Sequence, residues 1–186
     1  MKLGILIVLV AACNARLGEP IGSHVAGADS GVDSPHSPPP IDAKPDARPC
    51  TGGDSHATDA DGDCYLFFTG PKTFAQAETA CVGLTAHLAK ITSASQNTVV
   101  AQLSLGSDAF IGATDAVTEG TFLWDDGTPL TFTNYGTGEP NNGGGMYQED
   151  CLVMAGKRTP ADTWDDRPCT TGIAANSGSF AYVCEY

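Results

Sequence analysis

The order of periodic segments predicts an α+β fold: a strand, two helices, further strands, one long loop and a closing strand. Three observations carry that prediction. Two Ser/Thr-x-x-Gln signals, at Thr73-Phe74-Ala75-Gln76 and Ser93-Ala94-Ser95-Gln96, each open a stretch of helical period. Short aromatic and apolar runs at 64–68, 109–112 and 180–184 read as strands. Residues 136–148 hold five glycines, a proline and two asparagines, a composition for a long structured loop rather than for any helix or strand.

Taken in order, the chain begins with an address. Lys2 supplies a positive charge, residues 3–10 an apolar run, and Ala11-Ala12 the small residues of a cleavage point, so residues 1–12 read as an export signal. The run is too short to span a bilayer. Leu9-Val10-Ala11-Ala12-Cys13 resembles a bacterial lipobox, which makes Cys13 the lipidated first residue of the mature chain. Cys13 is also the odd one of seven cysteines, and an unpaired thiol is a liability in an oxidising compartment. Residues 13–49 then read as a tether. From Asn14 onward the stretch has no Phe, Trp or Tyr and holds seven of the twelve prolines, so it cannot bury enough apolar surface to offset its ordering entropy. The expected location is outside the cytoplasm, anchored by lipid to a bacterial cell membrane or outer-membrane surface.

From Cys50 to Tyr186 the composition is that of one folded domain. The strand at Cys64-Tyr65-Leu66-Phe67-Phe68 follows a turn-rich stretch. The first helix starts at Thr73 and places Phe74, Ala77 and Cys81 on one side. The second runs from Ser93 to about Ser104 with Val99, Val100 and Leu103 facing inward. Ala109-Phe110-Ile111-Gly112 is a strand, Thr121-Phe122-Leu123-Trp124 alternates in period two, and regular structure is expected to thin out beyond it until the closing strand.

Charge narrows the function. Nine basic residues against 22 acidic ones leave a formal net charge of -13, which excludes a protein that tracks nucleic-acid phosphates. A cation or a neutral polar molecule suits this surface better. Glu139, Asn141, Glu149, Asp165 and Asp166 offer four carboxylates and an amide oxygen from separated loops, a hard-oxygen set that suits Ca²⁺. Catalysis has little to work with. Only His56 and His87 lie in the domain, and no Ser-His or Cys-His arrangement is visible, so no enzyme is expected. Zinc at Cys50, His56 and Cys64 lacks a fourth ligand.

Several of these stretches, in this order, resemble the C-type lectin domain in its longer form with an N-terminal hairpin. They are Cys64-Tyr65, Cys81, Phe110-Ile111-Gly112-Ala113-Thr114-Asp115, Glu119-Gly120-Thr121-Phe122-Leu123-Trp124-Asp125-Asp126-Gly127, Glu139-Pro140-Asn141-Asn142, Glu149-Asp150-Cys151, Trp164-Asp165-Asp166, Cys169 and Val183-Cys184-Glu185. The resemblance covers nearly all of residues 50–186. It implies two helices packed on small antiparallel sheets, a long calcium-binding loop region, and disulfides Cys50–Cys64, Cys81–Cys184 and Cys151–Cys169, leaving Cys13 for lipid.

The resemblance also implies a principal Ca²⁺ site at Glu139, Asn141, Glu149, Asp165 and Asp166, with Glu139, Asn141, Glu149 and Asp165 touching a sugar. A second Ca²⁺ site is implied at Asp115, Glu119, Asn142 and Asp150, with Glu149 shared. Glu139-Pro140-Asn141 resembles lectins that take equatorial vicinal hydroxyls, as in mannose, N-acetylglucosamine or fucose, and Pro140 is expected cis. Asp165 departs from the family pattern, where Asn is usual, and a carboxylate cannot donate to a sugar hydroxyl. Trp124 and Trp164 read as core anchors, Tyr147 as the exposed aromatic beside the ligand, and Asp125-Asp126 as a turn. The expected partners are glycans or glycoconjugates and, through Cys13, a membrane. A protein receptor bound by an adhesin of the same fold, with calcium only rigidifying the loops, is the alternative.

Overall fold

A computed structural model describes residues 48–145, 147–171 and 178–186. The signal, Cys13 and all but the last two residues of the tether lie outside the described residues. The elements run β1 (Ser55–Thr58), β2 (Cys64–Lys72), α1 (Phe74–Val82), β3 (His87–Leu88), α2 (Ala94–Leu103), β4 (Asp108–Thr114), β5 (Leu123–Trp124), β6 (Cys151–Ala155), β7 (Trp164–Arg167) and β8 (Phe180–Glu185).

The strands form one connected sheet in the order β1-β2-β8-β4-β6-β7, with β3 hydrogen-bonded to β8 and β5 to β4. This corrects the expectation of small antiparallel sheets. The last strand, β8, inserts between β2 and β4, pairing antiparallel with β2 but parallel with β4, so the sheet is mixed. Strand period two then sorts side chains to opposite faces. Tyr65, Phe67, Ile111, Leu152, Met154, Trp164 and Val183 join one core cluster with Val100 and Ala101 of α2. Their neighbours Leu66, Phe110, Val153, Tyr182 and Cys184 join another with Phe74, Ala77 and Cys81 of α1. Each helix therefore covers one face of the sheet.

Local chemistry accounts for most of the boundaries. Thr73 caps α1 through a complete capping box, its hydroxyl accepting from the Gln76 N–H while the Gln76 side chain accepts from the Thr73 N–H. The second signal does only half of this. Ser93 accepts from the Gln96 N–H, but the Gln96 carbonyl oxygen accepts instead from the Thr92 N–H and hydroxyl, at 2.8 and 2.9 Å. Within α2 the buried residues include Gln96, Asn97, Val100 and Ala101, while Val99 and Leu103 pack at the edge of the core. The alternation at 121–124 sets the faces of Phe122 and Trp124 correctly, but only Leu123–Trp124 pair as strand.

Between Trp124 and Cys151 neither a strand nor an α-helix forms among the described residues, as expected, but β6 and β7 then precede the closing strand and were not expected. All five residues of β6 are buried, so they show no alternation, and β7 is the polar sequence Trp-Asp-Asp-Arg. The three disulfides are those implied by the resemblance, and Cys50 and Cys64 are thereby unavailable to zinc. Both tryptophans are core residues, Trp124 at 2% and Trp164 at 0% exposure.

Candidate metal centre

The site is assembled by β7 and the loop that leads into β6. Trp164 fixes the loop's entry: its N–H donates to the Asn134 carbonyl at 2.7 Å, and its carbonyl accepts from Gly136 N–H at 2.8 Å. Asn97 of α2 holds the indole from behind, accepting from Nε1 at 2.7 Å. The Glu139–Pro140 peptide is cis. Beyond it, Asn142, Gly143, Gly144 and Gly145 have φ values of 52, 59, 67 and 78°. Four successive left-handed residues require glycine, or an Asn whose short side chain hydrogen-bonds locally, which accounts for the Gly143-Gly144-Gly145 run.

Asp166 closes this turn from the strand side. Its carboxylate accepts from Asn141 N–H at 3.0 and 3.1 Å and from Asn142 N–H at 2.6 Å. One carboxylate oxygen each from Glu139, Asp165 and Asp166 lies within 4.8 Å of the others, the one such acidic group among the described residues. Asp165 is fully buried and Asp166 1% exposed. Isolated buried charge is costly, so each carboxylate must be paired. Asp166 has its backbone donors. Asp165 has two cations: Arg158 Nη2 and Arg167 Nη2 stand 2.7 and 2.5 Å from its Oδ2. These are charge contacts without aligned N–H donors, and neither Asp165 oxygen has a hydrogen-bond partner. Burial raises the Asp165 pKa, against the pull of Arg167 and Arg158. Arg158 also holds Glu139, Nη1 to Oε1 at 2.7 Å.

The other expected ligands stand around this group. Asn141 donates its amide to Glu139 Oε2, while its Oδ1 accepts from Gly144 N–H at 2.7 Å and so faces its own loop. Glu149 is 7% exposed, with Oε1 at 4.0 Å from Arg167 Nη1. Burial raises its pKa, Arg167 lowers it, and Asp166 and Glu139 raise it further. Tyr147 is 38% exposed beside Gly143, where an added Cβ would come within 2.9 Å of its ring.

The residues expected at a second centre form an adjoining patch. Asp115 is 3% exposed; its Oδ2 accepts from Gly120 N–H at 2.8 Å, and its buried Oδ1 has no partner. Burial raises the pKa of Asp115 and of Asp150, and Glu119 adds to both. Asn142 links the two regions. Its Nδ2 donates to Glu119 Oε1 at 3.0 Å and its Oδ1 accepts from Glu149 N–H at 2.6 Å.

Sequence reasoning missed both arginines. Arg167 was within reach of it, since Asp165 and Arg167 are two apart on β7 and share a face. Arg158 comes from a separate turn and gives no local signal. Neither histidine among the described residues joins the centre: His56 contacts the Gly52 carbonyl and His87 the Leu88 carbonyl.

The donor set fits a calcium ion. It is all oxygen, and two oxygens ligating one Ca²⁺ at about 2.3–2.6 Å can stand up to about 5 Å apart. Asp165 Oδ1 is a buried oxygen without a hydrogen bond that such an ion would satisfy, while Oδ2 is already held by Arg158 and Arg167.

This fold is shared with solved carbohydrate-recognition domains. The Lectin C-type domain model matches residues 70–186, and the chain belongs to the C-type lectin family. It is 37% identical over 136 residues to the alpha-N-acetylgalactosamine-specific lectin of Patiria pectinifera, covering 67% of this chain and 74% of that one. It is 37% identical over 122 residues to the low affinity immunoglobulin epsilon Fc receptor of Mus musculus, covering 66% of this chain and a third (33%) of the receptor. The cow carbohydrate-recognition domain of CD23, solved in the presence of a GlcNAc2Man3 oligosaccharide, superposes with a TM-score of 0.57 at 31% identity, over 67% of this chain and 87% of that one. C-type lectins are not enzymes, in line with the expectation from sequence.

Proposed function

We propose that this protein is a calcium-dependent carbohydrate-binding lectin held at a membrane surface by lipid on Cys13. The observation that carries the reading is the convergence of Glu139, Asp165 and Asp166, with Asp165 Oδ1 buried and without a hydrogen-bond partner. Glu139, Asp165 and Asp166 would hold the ion, with Glu149 beside them and Asn141 joining once its Oδ1 leaves the Gly144 N–H. Bound calcium neutralises these carboxylates and offers coordination positions to two neighbouring sugar hydroxyls. Asp166 keeps the loop in place, and Glu139 and Asn141 set the direction of the hydroxyl contacts. The Asp115, Glu119, Asn142 and Asp150 patch is a second candidate centre, supported by the unpartnered Asp115 Oδ1.

Glu139-Pro140-Asn141 favours equatorial vicinal hydroxyls. A relative named for N-acetylgalactosamine, whose 4-hydroxyl is axial, argues the other way. Calorimetry of the protein with Ca²⁺, then with mannose, fucose, N-acetylglucosamine and N-acetylgalactosamine, decides between them. The expected result is calcium binding followed by mannose or fucose binding, both lost in Asn141→Ala. The absence of calcium binding overturns the reading. A protein-binding adhesin is the second reading, favoured by the likeness to an Fc receptor; calcium binding with no glycan bound on an array selects it. For the anchor, the expected result is detergent-phase partitioning that Cys13→Ser abolishes.

A further inference from the structure

The geometry points to Arg158 as a resident counter-cation that competes with calcium for Glu139 and Asp165. The inference rests on the calcium reading of the same carboxylates and concerns how that site is regulated. Three carboxylates, Glu139, Asp165 and Asp166, face two guanidiniums, Arg158 and Arg167. The two guanidiniums already offset two of these three negative charges, and of the two only Arg158 stands where an ion on Glu139 and Asp165 would sit.

The two arginines play different parts. Arg167 is on β7 itself, only 18% exposed, 2.5 Å from Asp165 Oδ2 and 4.0 Å from Glu149, so it belongs to the floor of the site. Arg158 comes from outside that strand and its side chain is 39% exposed, which leaves it a path to solvent. It bridges the two acids, Nη1 on Glu139 Oε1 and Nη2 on Asp165 Oδ2, each at 2.7 Å. Glu139 then has both oxygens engaged, because Asn141 Nδ2 holds Oε2. A cation at normal ligand distance from Glu139 Oε1 would sit against the guanidinium, so Arg158 must leave before Glu139 can ligate. Without calcium the bridge ties the 139–145 turn to β7 and gives Glu139 and Asp165 a shared countercharge. With calcium the bridge is broken, and the affinity measured is that of an exchange rather than of an empty site.

The test compares calcium titrations and chelator-state melting of the protein with Arg158→Gln and Arg158→Lys. Lys157→Gln serves as control, since it removes the same charge one residue away from an exposed position. Arg158→Gln should bind calcium about tenfold more tightly than the parent and melt lower in chelator, the two curves converging as calcium is added. Arg158→Lys keeps the charge but not the two-pronged bridge, and should fall between them. Calcium binding by Arg158→Gln alone, with none by the parent, also supports the exchange. Equal or weaker calcium affinity in Arg158→Gln overturns it, as does an equal gain in Lys157→Gln. Calcium binding by none of the proteins removes the calcium reading itself, and the inference with it.

Discussion

Replacing Asn97 with alanine tests how the core holds the strand that carries Asp165 and Asp166. Asn97 is 3% exposed on α2, and its side chain makes two bonds across to the site: Oδ1 accepts from Trp164 Nε1 at 2.7 Å, and Nδ2 donates to the Asp162 carbonyl at 2.8 Å. The two losses are unequal. Trp164 is wholly buried, so its N–H is orphaned, at about 1–3 kcal/mol. The Asp162 carbonyl still accepts from Asn134 Nδ2 at 2.7 Å, so its loss is about 0.5–1 kcal/mol. Alanine returns about 0.5 kcal/mol of helix propensity. The expected net cost is about 1–3.5 kcal/mol, read as a lowered urea midpoint at unchanged slope with disulfides intact. In a Trp164→Phe background the indole N–H is already gone, and Asn97→Ala should cost about 1–2 kcal/mol less. An equal cost in the two backgrounds would refute the assignment of the energy to this hydrogen bond.

Four further outcomes follow from the same geometry. Asp166→Ala removes the acceptor for Asn141 and Asn142 N–H, and calorimetry should then detect no calcium binding. Gly144→Ala, with φ of 67° and open space around it, should cost about 1–2 kcal/mol of backbone strain in urea unfolding; Gly143→Ala, which also meets Tyr147 at 2.9 Å, should cost more. Removing Cys81–Cys184, which closes 103 residues of sequence separation, should cost about 4–5 kcal/mol by denaturant unfolding. The fourth concerns pH. Burial raises the pKa of Asp115, Glu149, Asp150 and Asp165, so above about pH 4 the fold holds more protons there than the unfolded chain, and stability is lost as pH rises through the raised values. Asp54 and Asp126, lowered by hydrogen bonds from Thr69 and Lys90, act oppositely, and their contribution is lost only in stronger acid. Melting in chelator should therefore be higher near about pH 5 than near about pH 8, and calcium should narrow the difference and release protons as it binds.

The sequence was most legible where one local rule governed structure. Thr73 and Gln76 both marked and made the start of α1, and the glycine run marked a turn that needs left-handed residues. It was least legible where burial rather than pattern made the strand. Residues 151–155 are covered on both faces and show no alternation, and Trp-Asp-Asp-Arg has a strand's geometry because Cys151–Ala155 pairs with it. The single mixed sheet was hidden because it depends on where β8 inserts, a long-range choice. At the site, motif order marked the three converging acids. Their counterions were not marked, since Arg158 reaches Glu139 across 19 positions of sequence, and only the folded geometry shows that Asp165 is countered by two guanidiniums.

The sheet order has a mechanical meaning. The chain enters beside β1 and β2 at one end of the order, and the acids lie on β7 at the other. A ligand pulling on the loop against a hold on the segment before Cys50 therefore loads the sheet from edge to edge. The Cys50–Cys64 bond encloses β1, so tension arriving at Cys50 passes through sulfur directly to the head of β2, and the outermost strand carries none of it. Cys64 is in turn hydrogen-bonded in both directions to Tyr186, the residue that ends β8's run through the centre of the sheet. Under traction the outer strand is bypassed, and resistance begins at β2, the longest strand, where its buried first half pairs with β8.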